Sequence, residues 1–248
     1  MTLIFGSKDA SCKTCLIVFS LLLFTGMQAF CSNNDFRSPQ KNKDHKGVII
    51  DEYLQVFYPL GNNEEYSVTV CADLPVDNKP QYVYKKGEPG HVFLILSKKD
   101  LITGKTITRS FGFYPRVAVT CLFKQSRSQI RDNSNRQYDA AIERKLSKEE
   151  FKWILDKCKD EAKKKYNLKK YNCYDYVLQV YNSLPGVEKL PISKVKFPFI
   201  LGRGGSPCGL YNDLKILAVN GSAWSSSIRF GYFHSPCKEA IHNLVASY

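Results

Sequence analysis

The chain has 248 residues, 15 Tyr and 15 Phe among them, and a formal charge of +13. That much aromatic matter supports one sizeable core and excludes a globally disordered chain. The positive balance suits an anionic partner such as a cell-wall polymer, and serves equally as a basic solvated surface.

At the N-terminus, Lys8 and Lys13 precede an apolar run from Cys15 to Phe24, and the small residues Ala29 and Cys31 follow two apart. This is the pattern of a signal peptide over residues 1–31. The run is short for a membrane span, and no second long apolar run follows. The mature chain is therefore expected to be exported, periplasmic or extracellular, with no integral span. Lipid attachment at Cys31 would want a small residue where bulky Phe30 stands. Cys71, Cys121, Cys158, Cys173, Cys208 and Cys237 remain after cleavage. An oxidising compartment permits disulfides among them, and the spacing does not choose a pairing.

Residues 32–47 are polar and mixed in charge, and read as a flexible leader. One domain is expected over 48–248. Tyr66 to Ala72 alternates and is β-branched, the mark of a strand. Leu74 to Pro80 is a loop by its prolines. His91 to Leu96 is apolar on both faces, so a central strand is expected there. Lys98 to Lys105 marks the turn region, and Thr106 to Phe113 returns as the second strand of an antiparallel hairpin. Arg116 to Leu122 is a further strand candidate. Residues 124–138, polar and basic, read as an exposed loop.

Ser147 with Glu150 forms a capping box. Behind it Phe151, Ile154, Leu155, Cys158 and Ala162 make a helical stripe, with Lys157, Lys163, Lys164 and Lys165 on the solvated face. Beyond the link at 166–170, Tyr176, Val177, Val180, Tyr181 and Leu184 continue one stripe from Cys173, with stop signals at Leu184-Pro185-Gly186. Residues 202–207 are a glycine-rich loop without the Gly-Lys-Ser/Thr ending of a phosphate loop. A short helix opens near Gly209, and the stretch through His234 carries no clear pattern.

Cys173 thus sits in the first turn of a helix, where free N–H groups and the positive dipole end favour a thiolate. A nucleophilic thiol also needs a base, and His91 is the candidate. Read without the histidine, Cys173 is a small buried apolar residue. His45 lies in the leader, and His234 and His242 fall in the unpatterned tail.

Four motifs in order carry a resemblance: Gly90-His91-Val92-Phe93-Leu94, Ser110-Phe111-Gly112-Phe113-Tyr114-Pro115, Tyr171-Asn172-Cys173-Tyr174-Asp175-Tyr176, and Gly204-Gly205-Ser206-Pro207 with Leu210 and Asp213. Over roughly residues 66–215 the chain resembles exported bacterial proteins of the circularly permuted papain-like group, which includes NlpC-type cell-wall peptidases and lecithin-retinol acyltransferase-like enzymes. The resemblance implies an α+β fold, an antiparallel sheet packed against helices, with the histidine preceding the cysteine. It implies a cysteine hydrolase of the amidase or peptidase type, with cell-wall peptide as favoured substrate. A lipid acyltransferase, and an inactive binding or structural module of the same fold, are the rivals.

In that reading Cys173 is the nucleophile, His91 the base, and Ser110 the group brought beside His91 by the hairpin. Ser110 departs from the His, Asn or Asp usual at this place. Asn172, Asp175 and Tyr114 are the substrate-binding candidates, and Asn172 and Asp175 have helix capping as their alternative. No cofactor, metal site or nucleic-acid partner is expected.

Overall fold

The computed structural model describes residues 46–85, 88–117, 124–185, 189–198 and 202–237. Strand β1 (Gly47–Val48) leads into the short helix α1 (Ile50–Leu54). Strands β2 (Glu64–Asp73), β3 (His91–Asp100), β4 (Thr106–Pro115), β5 (Ser128–Asp132) and β6 (Gln137–Leu146) follow. Next come helices α2 (Lys148–Ala162) and α3 (Cys173–Tyr181), then the small pair β7 (Val195–Lys196) and β8 (Arg203–Gly204). Helix α4 (Pro207–Val219) and strand β9 (Ile228–His234) complete the described chain.

The main sheet has seven strands in the order β1-β5-β4-β3-β2-β6-β9. Every pair is antiparallel. The fold is therefore α+β with a large antiparallel sheet. Central position explains the apolar run of β3, since both its faces are covered. Val92, Leu94 and Leu96 share a core with Phe111, Phe113, Phe151, Ile154, Tyr176, Val177 and Leu210, which is the side covered by the helices. Phe93 and Ile95 pack on the other face with Cys71, Tyr138 and Ala141, and Phe233 closes over them.

Helix α2 starts at the expected capping box: the Ser147 hydroxyl accepts from Glu150 N–H, and the Glu150 carboxylate accepts from Ser147 N–H. Phe151, Ile154, Leu155 and Cys158 are buried as its stripe requires. Where α2 meets the turn before α3, the buried carboxylate of Glu161 takes Lys157, Lys164 and the Tyr171 hydroxyl.

Several expectations change. Residues 124–138 are not an exposed loop: they contain β5 and the start of β6, with Asn133 and Arg136 buried. The strand candidate at 116–122 ends as a bend at Arg116 and Val117, and the rest of it lies outside the described residues. Lys98 is no turn residue. It lies within β3, buried against Glu64 at 3.0 Å and donating to the Pro59 carbonyl. The last two residues of the expected leader belong to the fold, because Lys46 accepts from Asp132 N–H and Gly47 pairs with Arg131. The signal-peptide segment and residues 32–45 lie outside the described residues. Helix α4 has 13 residues, longer than expected, and the unpatterned tail supplies β9 at the sheet edge. No helix among the described residues is long and apolar enough to cross a membrane.

Candidate functional site

The site starts from the turn that opens α3. Asn172 caps it: its Oδ1 accepts from Tyr174 N–H at 2.8 Å and from Asp175 N–H at 3.4 Å. Asp175 returns the favour by accepting from Asn172 N–H at 3.0 Å, which completes a capping box. The Asn172 amide nitrogen donates to the Leu168 carbonyl and, 33 residues ahead, to the Gly205 carbonyl at 2.9 Å. Asn172 has thus spent both donors and its acceptor on the backbone. Two of the three substrate-binding candidates, Asn172 and Asp175, are occupied as caps, which is the alternative their positions offered.

The Gly204-Gly205-Ser206-Pro207 motif serves the same turn. A side chain on Gly205 would run into the Tyr174 ring, so only glycine lets this strand pass close enough to bond Asn172. Ser206 then caps α4 by accepting from Gly209 N–H, with Pro207 at the first helical position. The motif binds the cysteine turn and starts a helix.

Cys173 is 8% exposed. Burial pushes its thiol above the ordinary 9.0, and the Asp175 charge adds to that. The Val92 and Tyr174 N–H groups and the Tyr166 hydroxyl face the sulfur and work in the opposite direction. Burial thus works against the partly ionised thiol that the helix start favours.

His91 lies on the other side of the strand. Alternation along β3 puts its ring with Phe93, at 6.1 Å between centroids and nearly parallel, on the face away from the helices. His91 thus lies at the end of β3 with the side chains of the far face, whereas Cys173 belongs to the core on the helix side. The β3–β4 ladder stops at Phe93↔Gly112, just before this point. Tyr114 continues β4 past that end and stacks on His91 at 4.2 Å.

The hairpin register moves Ser110 away from the histidine. Ser110 lies opposite Ile95, four residues further along β3. The strand position nearest the imidazole is Gly112 instead. A Cβ there would collide with His91 Nε2 and with Asn133 Oδ1, so these two atoms share the space that the glycine leaves open. Gly112 has no positive φ to explain it, and its role is this clearance.

Asn133 and its neighbours form a buried polar network. The Asn133 amide nitrogen donates to the Tyr114 hydroxyl at 2.6 Å. Arg136 donates to the same hydroxyl at 3.2 Å, and through Nε and Nη2 to one Asp73 carboxylate oxygen at 3.0 and 2.7 Å. Burial raises the Tyr114 hydroxyl; Arg136 and the Asn133 bond oppose this, and the Cys173 charge adds to the rise. The sulfur is thus within electrostatic reach of the Tyr114–His91 stack. Tyr114 acts here as a wall against the histidine.

Sequence reasoning missed Asn133, Arg136 and Tyr166. One signal was available: a glycine inside a strand marks a close approach, and Gly112 pointed to whatever lay across it. His234 is exposed at the end of β9, and His45 and His242 lie outside the described residues. Among the described residues, Cys71, Cys158, Cys173, Cys208 and Cys237 are free thiols, and no group of three side chains could hold a metal ion. Comparison with protein-family models, with curated proteins and with solved structures finds no match in any of the three.

Proposed function

We propose that this chain is an exported cysteine hydrolase of the amidase or peptidase type on a circularly permuted papain-like scaffold, acting on an amide or related acyl bond such as that of cell-wall peptide. The observation that carries the reading is the shared space over Gly112: His91 Nε2 and Asn133 Oδ1 flank the place of the missing Cβ, on the pair of strands against which the Cys173 helix packs. A Cys–His–Asn set of this kind divides the work of acyl transfer. Cys173 attacks the carbonyl carbon, His91 takes the thiol proton, and the same proton goes to the leaving amine. Water then attacks the thioester, giving its proton to His91, and the thiol is regenerated as the acid departs. Asn133 orients the imidazole. The positive end of the Cys173 helix stabilises the developing oxyanion.

A second reading has its own observation. The 8% exposure of Cys173 and its raised thiol favour a module that keeps the scaffold without the chemistry. Incubation with cell-wall fragments, read by mass spectrometry, separates the two. Cleavage by the wild-type protein, abolished in Cys173→Ala and in His91→Ala, supports the hydrolase. No cleavage and no acyl adduct on Cys173 would leave the binding module. Acyl transfer from a lipid without net hydrolysis would point to the acyltransferase.

A further inference from the structure

We propose that the cleft where β6 outruns β9 is a sugar-binding site, taking a neutral pyranose ring with an acetamido or hydroxyl oxygen turned inward; it makes no use of the thiol and is independent of the hydrolase reading. Pairing of β6 with β2 continues to Tyr66↔Leu146, whereas pairing with β9 stops at Ile142↔Ile228. Just before Ile228 the chain forms one short helical turn, Ser225–Ser227, instead of extending the ladder. The gap this leaves is a cavity of about 690 Å³, within the range of small-ligand sites.

Tyr181, the last residue of α3, closes the inner end of the cleft. It is fully buried, and its hydroxyl has no hydrogen-bond partner among the described residues. Buried hydroxyls are ordinarily paired, because leaving one unpaired costs more than the bond contributes when made. The Arg144 charge reaches this hydroxyl, and the Tyr181 ring meets the Trp224 ring at 5.9 Å between centroids. Arg144 and Trp224 both line the cleft, so the orphan donor belongs to it. A side-chain rotation of the size common on binding admits an oxygen acceptor there.

The lining also selects the molecule that carries the oxygen. Each charged group already has an opposite charge: Arg144 meets Glu150 at 2.9 Å, Lys145 meets Glu65 at 3.6 Å, and Arg229 meets Glu143 at 3.8 Å. No surplus charge asks for an ion, so a neutral ligand is the complement. Trp224 and Ile228 supply apolar surface, whereas Ser226, Ser227 and the Arg229–Glu143 pair supply a polar, exposed rim. A pyranose has the same division: its C–H face packs on an indole, and its edge hydroxyls both donate and accept. An arginine beside a carboxylate offers the matching acceptor and donor at one place.

The test titrates the full chain by calorimetry with the trisaccharide of N-acetylglucosamine, and with a blocked dialanine amide as a neutral peptide control. Saturable binding of the sugar is expected, about tenfold tighter than that of the peptide. Tyr181→Phe should weaken it about tenfold. The same variant should keep the wild-type urea midpoint or exceed it, because the hydroxyl it loses has no partner in the free protein. In a Trp153→Phe background Trp224 is the only tryptophan, and its fluorescence should shift along the same titration. No saturation up to about 10 mM sugar, binding of the peptide as tight as that of the sugar, or an affinity unchanged in Tyr181→Phe would overturn the proposal. So would a lower urea midpoint in Tyr181→Phe, since the hydroxyl would then be bonded already. The cleavage assays on Cys173 and His91 variants bear on the hydrolase reading alone.

Discussion

His91 and Asn133 belong to segments 42 residues apart in sequence, and they meet across β4 only because the residue between them is Gly112. The strand gives up a side chain at the one place where an imidazole and an amide need its volume. Gly112→Ala tests this directly. The added methyl must displace the imidazole or the amide, at about 1–3 kcal/mol of stability. Any turnover should fall about a hundredfold from misplacement of the base. Denaturant unfolding and single-substrate kinetics read the two effects separately; a variant with unchanged stability and rate would remove the glycine from the argument.

Cys173 has a thiol raised above 9.0, so its native alkylation by iodoacetamide should be slow at neutral pH and accelerate only above that value. The sign for stability follows the same direction. A folded-state value above the unfolded one gives a contribution that is full below the unfolded value and is lost as pH rises through the folded one. Rapid labelling at pH 7, slowed by His91→Ala, would show instead that the imidazole ionises the thiol in solution.

Asn172→Ala removes the cap of α3 and both donors that tie it to Leu168 and Gly205. The cap alone is worth about 1–2 kcal/mol. Asn172→Asp keeps the acceptor and loses the donors, so it should fall between alanine and wild type. Urea midpoints for the three proteins give the order, and an aspartate variant as stable as wild type would show that the Gly205 tie contributes nothing.

Arg136 and Asp73 form a buried pair, with side-chain exposures of 7% and 3%. Arg136→Met leaves the carboxylate in the interior without its cation, at about 3–5 kcal/mol. A loss below about 1 kcal/mol would mean that water reaches Asp73 in the variant.

Glu161 supplies the acid side of the stability profile. Burial works to raise its carboxyl, but Lys164, Tyr171 and Lys157 outweigh it, and the value falls below the ordinary 4.5. Its contribution is therefore present above 4.5 and is lost as pH drops through the lowered value. Glu161→Gln should flatten the stability curve below pH 4.5 relative to wild type, as chemical denaturation across pH 3–6 would show.

Local chemistry announced much of this architecture. The β3–β4 hairpin and helices α2 and α3 follow from alternation, periodicity and capping pairs that act within a few residues. Strands β5 and β6 did not show, because Arg131, Asp132, Asn133 and Arg136 read as solvent-seeking. Arg136 is buried only because Asp73, 63 positions earlier, neutralises it. The partner of His91 was hidden for a related reason. Ser110 follows from a hairpin drawn with the wrong register, whereas Asn133 depends on a third strand crossing the hairpin's far side. The caps at Asn172 and Asp175 were legible as one of two alternatives, and the distant Gly205 carbonyl favours that one.

The bond from Asn172 to Gly205 also sets an order of events during synthesis. The turn that holds Cys173 lacks one of its anchors until the chain has been extended past residue 205, and α4, whose cap follows at once, cannot close over the core before then. A ribosome-bound chain of up to about 200 residues can thus build the hairpin and α2, which rest on local contacts. Its thiol turn stays loose until the last fifth of the chain emerges. The turn that carries Cys173 is thus among the last parts of the protein to gain all its hydrogen bonds.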